Sequence, residues 1–335
     1  MNRQEFLRQL GERLQAMEER ERAEVLSYFD ELIQDKAQDS ERPEEEVILD
    51  LGPLDELART VMEDSERRAE AAPAAEGREG AEGPTTITTE VKAAQVRELV
   101  IRSYDLPILI SRGAEDSIVL KYPDSEELRF DLNLNEGRLE LLQQRLYVFR
   151  FFRVDWWFGQ TLPREIVVQL PRDYAGSLDA ETSNGRIQLS GVDIWGSLNL
   201  KTSNGRIELM QGGARAAEAR TSNGRIQAEG FSAREKLSLT TSNGRITAEQ
   251  VTSMGPLSLV SSNGALRFSG LEGKEIRLKT SNSGIDGSVK GSPEDYSVSS
   301  STSNGKNSLK DHAGRGDRRL EAHTSNGSIH IRFEG

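Results

Sequence analysis

Four stretches decide the fold: Thr182-Ser183-Asn184-Gly185-Arg186-Ile187, Thr202-Ser203-Asn204-Gly205-Arg206-Ile207, Thr221-Ser222-Asn223-Gly224-Arg225-Ile226 and Thr241-Ser242-Asn243-Gly244-Arg245-Ile246. The phrase weakens to Ser261-Ser262-Asn263-Gly264 and to Thr280-Ser281-Asn282-Ser283-Gly284, which reads as a copy with an insertion. It recovers at Thr302-Ser303-Asn304-Gly305 and Thr324-Ser325-Asn326-Gly327. Successive copies start 20, 19, 20, 20, 19, 22 and 22 residues apart. A fixed period of this size marks a repeat architecture.

Apolar residues alternate on both sides of each phrase, as at Leu198 and Leu200 before it and Ile207 and Leu209 after it. Alternation of period two predicts half-buried strands flanking a turn. Asn-Gly supplies residues that tolerate positive φ, so the turn is expected at Asn184-Gly185, Asn204-Gly205, Asn223-Gly224 and Asn243-Gly244. A meander of antiparallel hairpins and a β-solenoid both fit. The solenoid is preferred, because only stacking puts identical residues against each other. Equivalent positions then lie about 4.8 Å apart, and Thr, Ser and Asn can pair up the stack as Asn ladders do in cross-β structures. The expected fold is mainly β, a single-stranded β-helix of ~20-residue coils over residues 85–335, carrying the repeats from residue 182.

The chain has no cysteine, which excludes disulfides and thiolate chemistry. No apolar run is long enough for a membrane-spanning helix, and the opening MNRQEFLRQLGERLQ lacks the apolar core of a signal peptide. A cytoplasmic protein is expected. Net charge is −12, and residues 1–70 carry most of it, with 21 acidic against 10 basic residues. An acidic module repels phosphate, so no direct nucleic-acid binding is expected.

Residues 1–63 show helical spacing. Asn2 with Glu5 reads as a capping box. Phe6, Leu10, Leu14 and Met17, then Val25, Phe29, Leu32 and Ile33, then Val47, Ile48 and Leu51, then Leu54, Leu57, Ala58, Val61 and Met62 form four narrow apolar stripes. Pro43 suits the first turn of the third helix. Residues 64–84 are rich in Ala, Glu, Gly and Pro and read as a flexible linker. The helical segment resembles the HTH-associated α-helical signalling domain. The resemblance lies in Glu5-Phe6-Leu7, Leu10 and Leu14, in Glu21-Arg22, Glu24-Val25-Leu26 and Tyr28-Phe29, and in Glu45-Glu46, Leu51-Gly52-Pro53 and Leu57-Ala58. It departs where Pro53 follows Gly52 directly. It implies a regulatory link to PadR-like winged-helix repressors and no catalysis. A plain helical cap or dimerisation bundle is the alternative.

Between residues 85 and 180 the apolar alternation continues at irregular lengths, as terminal coils of solenoids do. Seven of the chain's 19 aromatic residues fall within residues 147–158, among them Phe151, Phe152, Trp156, Trp157 and Phe158. A loop that covers an open end of the solenoid is the simpler reading. An aromatic tip facing a partner or a membrane surface is the other. With the repeats, residues 85–335 resemble the bacterial putative-adhesin β-solenoid family, whose members carry recurring [Thr/Ser]-Ser-[Asn/Ser]-Gly-x-[Ile/Leu] turns.

Candidate chemistry is sparse. The three histidines, His312, His323 and His330, lack the company of a metal site. No nucleophile elbow or phosphate loop is present. Neither an enzyme nor a cofactor is expected. One chemical feature repeats: Arg186, Arg206, Arg225 and Arg245 follow Asn-Gly in the first four copies. Stacked guanidiniums repel unless acids interleave or an anion binds. Glu181, Glu208 and Glu218 are the nearby acids. A solvated ladder of mixed charge is one reading, and an anion- or partner-binding strip the other. The functional expectation is a regulatory protein whose residues 1–63 dock a protein partner, such as a PadR-like regulator, with the solenoid as scaffold or sensor. The competing expectation is glycan or surface binding through the solenoid face.

Overall fold

The computed structural model describes residues 1–19, 22, 23, 25, 26, 29, 30, 33, 43–51, 53–59, 61, 62, 85–125, 128–144 and 165–335. The linker expected at 64–84 and the aromatic stretch with Phe151, Phe152, Trp156, Trp157 and Phe158 lie outside the described residues. The chain divides into two compact units, one built from residues 1–83 and 147–160 and the other from 84–146 and 161–335.

In the first unit, α1 (Arg3–Arg13) starts at Asn2, whose side chain accepts the Glu5 N–H at 2.9 Å. Only this half of the capping box forms. The Glu5 carboxylate turns to Arg8 and Gln9 instead, and these hold its pKa down at about 2. Pro43 stands at the N-cap of α2 (Glu44–Asp50), one position earlier than expected. Three glutamates in the first turn of α2 favour that end of the helix dipole. Phe6, Leu10, Leu14, Val25, Phe29, Ile33, Ile48 and Leu57 form one buried cluster. The Phe6 and Phe29 rings meet edge to face at 5.9 Å.

The second unit is a parallel β-solenoid with a more irregular N-terminal part. That part holds β1 (Thr85–Lys92), β2 (Glu98–Arg102), β3 (Ile108–Arg112), β4 (Ser117–Asp124), β5 (Phe130–Asn135), β6 (Arg138–Gln143), β7 (Ile166–Leu170) and β8 (Asp173–Tyr174). The regular part runs through β9 (Ser177–Thr182), β10 (Ile187–Ser190), β11 (Asp193–Thr202), β12 (Ile207–Thr221), β13 (Ile226–Thr241), β14 (Ile246–Glu249), β15 (Thr252–Ser261), β16 (Leu266–Lys279) and β17 (Ile285–Lys290). It ends in β18 (Tyr296–Thr302), β19 (Arg318–Thr324) and β20 (Ile329–Glu334).

Each coil is one strand before the Thr-Ser-Asn-Gly turn and one after it. Ile187, Ile207, Ile226, Ile246, Leu266, Ile285 and Ile329 stack in register behind the turn. Leu178, Leu198, Ala217, Leu237, Leu257 and Ile276 stack ahead of it. All thirteen of these residues are buried. Where one coil is small, its neighbour can be large: Gly287 lies in register with Phe268, whose ring stands 2.5 Å from where a Cβ on Gly287 would fall.

The turns use Gly for a different reason than expected. No Asn or Gly of the repeated phrase has positive φ. In the second to fifth copies the glycines fit close stacking instead. A Cβ on Gly205, Gly224, Gly244 or Gly264 would stand 1.7–1.8 Å from the turn carbonyl of the preceding coil. Between β9 and β17 the left-handed residues lie at the opposite corner, at Gly191, Gln211, Gly230, Gln250 and Gly270, with φ between 50° and 69°. Gly and Gln alternate there, and the Gln250 side chain lies where a Cβ on Gly270 would fall. The fifth and sixth turns are also of equal construction. Ser283 occupies the Gly position and Gly284 the Arg position, since Leu266 N–H bonds the Gly284 carbonyl at 3.0 Å. The insertion expected at that copy is a pair of substitutions without added length.

Coil order departs from chain order at both ends. β2 lies between β6 and β9, and β3 between β7 and β10. The first coil in sequence is thus the second in space. At the other end β19 lies between β16 and β18, and β20 pairs with β17. The last strands in sequence slide beneath the coil that precedes them. Antiparallel strands finish the N-terminal side, with β4 against β7 and β1 against β4.

Candidate functional site on the turn edge

The hydroxyl of the turn Thr serves two backbone groups at once. Thr221 Oγ1 accepts the Gly224 N–H at 3.1 Å and donates to the Gly205 carbonyl of the coil below at 3.0 Å. Thr202 and Thr241 repeat this arrangement with Gly205 and Gly185, and with Gly244 and Gly224. Ser261 keeps it with Gly264 and Gly244, so the hydroxyl matters and the methyl does not. These side chains are at most 2% exposed, where an unmet N–H or C=O would be costly.

Next to them runs an amide ladder. Asn204 Nδ2 donates to Asn184 Oδ1 at 2.6 Å, and Asn223, Asn243, Asn263 and Asn282 continue it, each to the Asn below. Asn326 donates to Asn282, and Asn304 to Asn326, so the ladder follows the swapped coil order. At the bottom Asn184 donates to Asp105 at 2.6 Å. A carboxylate can only accept, so Asp105 sets the direction of every amide above it. The sequence reading missed Asp105 because nothing in its neighbourhood repeats the phrase.

The ladder takes one N–H and one oxygen lone pair from each interior amide, which gives the turn asparagines a structural role. The next position differs. The carbonyls of Arg186, Arg206, Arg225 and Arg245 accept in turn from Ile108, Ile187, Ile207 and Ile226 at 2.8–3.0 Å. The four arginines therefore occupy adjacent coils in one column, about 4.8 Å apart. Ala265, Gly284 and Ser328 extend the column without charge, and Lys306 follows Ser328 in it. Arg225 and Arg245 are exposed, and Arg186 and Arg206 half-buried.

Of the three nearby acids, one serves this column. Glu208 lies 3.1 Å from Arg206 Nε, but off the N–H direction, so Nε stays without a hydrogen-bond partner. Arg186 Nε is likewise buried and unbonded. Glu181 is engaged by Lys201 and Arg102, and Glu218 by Arg220. The mixed-charge ladder expected here forms on the neighbouring strand face rather than along the column.

That face carries a shallow groove of about 590 Å³ at the N-terminal side, lined by Arg97, Glu98, Arg138, Asp179 and Asn199 among others. Its charges are internally matched. Arg138 meets Glu98 at 2.8 Å and Glu140 at 2.6 Å, and Arg102 meets Asp179 at 2.5 Å. The histidines do not converge. His323 Nδ1 pairs with Ser301 Oγ at 2.8 Å, His312 is held between two carbonyls, and His330 is exposed. Among the described residues no three His, Cys, Asp or Glu side chains are grouped to hold a metal, and no helix is long and apolar enough to cross a membrane.

Several solved structures resemble this chain. A putative adhesin from Bacteroides fragilis is 11% identical with a TM-score of 0.41, covering 75% of this chain and 97% of its own. A putative adhesin from Parabacteroides merdae is 12% identical with a TM-score of 0.35, covering 74% and 96%. A putative cell adhesion protein from Clostridium sporogenes is 10% identical with a TM-score of 0.27, covering 75% and 100%. No curated protein matches. Residues 96–333, which hold both the irregular and the regular coils, match the Toastrack DUF4097 family, and the chain belongs to it.

Proposed function

We propose that this is a non-enzymatic regulatory protein in which the solenoid is a scaffold or sensor and residues 1–63 dock a protein partner. One observation carries the reading: among the described residues, the helical ones have a hydrophobic cluster of their own. A segment with its own core can recognise a partner independently of what the solenoid holds. Its buried members include Phe6, Leu10, Leu14, Val25, Phe29, Leu57 and Ala58, which are also residues of the resemblance to the HTH-associated signalling domain. On that resemblance the partner is a PadR-like transcriptional regulator, and the setting is the cytoplasm. Catalysis and a cofactor form no part of the proposal.

The test is affinity capture with the full chain and with a chain lacking residues 1–63. The regulator should be retained by the first and lost from the second. Equal capture by both would move the docking surface to the solenoid and refute the proposal.

A further inference from the structure

We infer that Asn304 is a site of covalent modification, where its side-chain amide reacts with the Gly305 backbone nitrogen and ends as aspartate or isoaspartate. The inference does not depend on the partner of residues 1–63. Asn-Gly occurs seven times, once in each copy of the turn phrase except the sixth. Asparagine is thermolabile, and a glycine after it puts no Cβ in the way of ring closure. All seven asparagines are exposed, so exposure does not separate them. Their hydrogen bonds do.

In six of the seven copies the glycine N–H donates to the hydroxyl of the Thr or Ser three residues earlier, at 2.8–3.3 Å. Those glycines are buried, or half-buried at Gly224. The remaining copy differs. Thr302 keeps its bond to the Gly327 carbonyl at 2.7 Å, but among the described residues the Gly305 N–H reaches no acceptor, and Gly305 is exposed. The amide ladder supplies a second, independent difference. Asn326 is held from both sides, donating to Asn282 and accepting from Asn304. Asn304 is the last rung: it donates to Asn326 at 2.8 Å, and among the described residues no amide donates to it. Ring closure at Asn304 therefore breaks two fewer hydrogen bonds than at Asn326, where the Gly327 N–H is also engaged.

The reaction balances with water as its only co-reactant. The Gly305 nitrogen gives up its proton and attacks Asn304 Cγ. The N–Cγ bond forms, the Cγ–Nδ2 bond breaks, and Nδ2 leaves as ammonia with that proton. Water then opens the cyclic imide at one of its two carbonyls, leaving aspartate or isoaspartate, and nothing is oxidised or reduced. The product carboxylate can only accept. The bond to Asn326 is lost, and two oxygens face each other at the end of the ladder. Among the described strands β18 pairs with β19 alone, so the loosening falls on the outermost coil.

The experiment is incubation of the full chain in mildly alkaline buffer, followed by peptide mapping of the amide-to-acid mass change and of isoaspartate. Sparing two hydrogen bonds should make Asn304 react at least about tenfold faster than Asn326. In denaturant the seven Asn-Gly sites should converge to similar rates, because the sequence at each is nearly the same. Hydrogen exchange reads the cause without the chemistry: the Gly305 amide should exchange at least about tenfold faster than the Gly327 amide. Asn304→Gln should abolish the fast reaction and keep that exchange contrast, since the longer side chain does not close the same ring. Equal rates at Asn304 and Asn326 in the folded chain, a gap that persists in denaturant, or equal exchange at Gly305 and Gly327 would each overturn the assignment.

Discussion

At the residue scale, the turn depends on a hydroxyl and on the lack of a side chain, three positions apart. Thr221→Val keeps the shape but leaves the Gly224 N–H and the Gly205 carbonyl buried and unmet. It should destabilise the solenoid by about 1–3 kcal/mol. Thr221→Ser should cost less than about 1 kcal/mol, as Ser261 already fills the same role. Denaturant midpoints of the two variants would show the order. Gly224→Ala is harsher, because its Cβ would lie 1.7 Å from the Gly205 oxygen. Backbone in two coils must shift, as the sixth turn accommodates Ser283 at the same position, so a loss on the order of 3 kcal/mol is expected by the same measurement.

At the element scale, the outermost C-terminal coil is held by a strap. The Val298 N–H bonds the His312 carbonyl at 2.9 Å, and the His312 N–H returns to Val298 at 3.2 Å. The His312 ring lies between two acceptors, with Nδ1 3.0 Å from the Lys310 carbonyl and Nε2 2.8 Å from the Pro293 carbonyl. Both nitrogens must donate, which requires the imidazolium. These two bonds, and more weakly Asp311, raise the pKa above its ordinary value. A raised folded pKa stabilises fully below the unfolded value of about 6.5 and is lost as pH rises through the folded value. Hydrogen exchange of the His312 amide, corrected for intrinsic rate, should therefore lose protection as pH rises above about 6.5. His312→Gln should abolish that dependence.

At the scale of the solenoid unit, the exchanged coil order ties both ends into the stack. β19 and β20 hold the preceding coil in place, because β18 pairs with β19 rather than with β16. Deleting residues 318–335 should therefore cost two coils instead of one. Limited proteolysis should then cut within residues 291–317 while leaving residues up to β17 protected. Protection of residues 296–302 in the truncated chain would contradict this topology. Repeat proteins are stabilised by nearest-neighbour interfaces, so the loss should stay local.

The sequence alone determined the coil. Its period, its turn, the Ile and Leu columns and the column of four arginines all follow from residues close together in the chain. The helical stripes likewise rest on local spacing. Only the tertiary structure decided which coils touch. Coils with near-identical turns stack interchangeably, so local pattern cannot rank one neighbour above another, and connections and end residues such as Asp105 choose. The same holds for the reason behind each turn glycine. A requirement for positive φ is written in one residue, whereas a collision with the carbonyl one coil away exists only after stacking. The left-handed corner at Gly191, Gln211, Gly230, Gln250 and Gly270 did leave a trace, at intervals of 20, 19, 20 and 20 residues. Glutamine there carries no turn signature of its own, and the neighbouring coil supplies the reason it is tolerated.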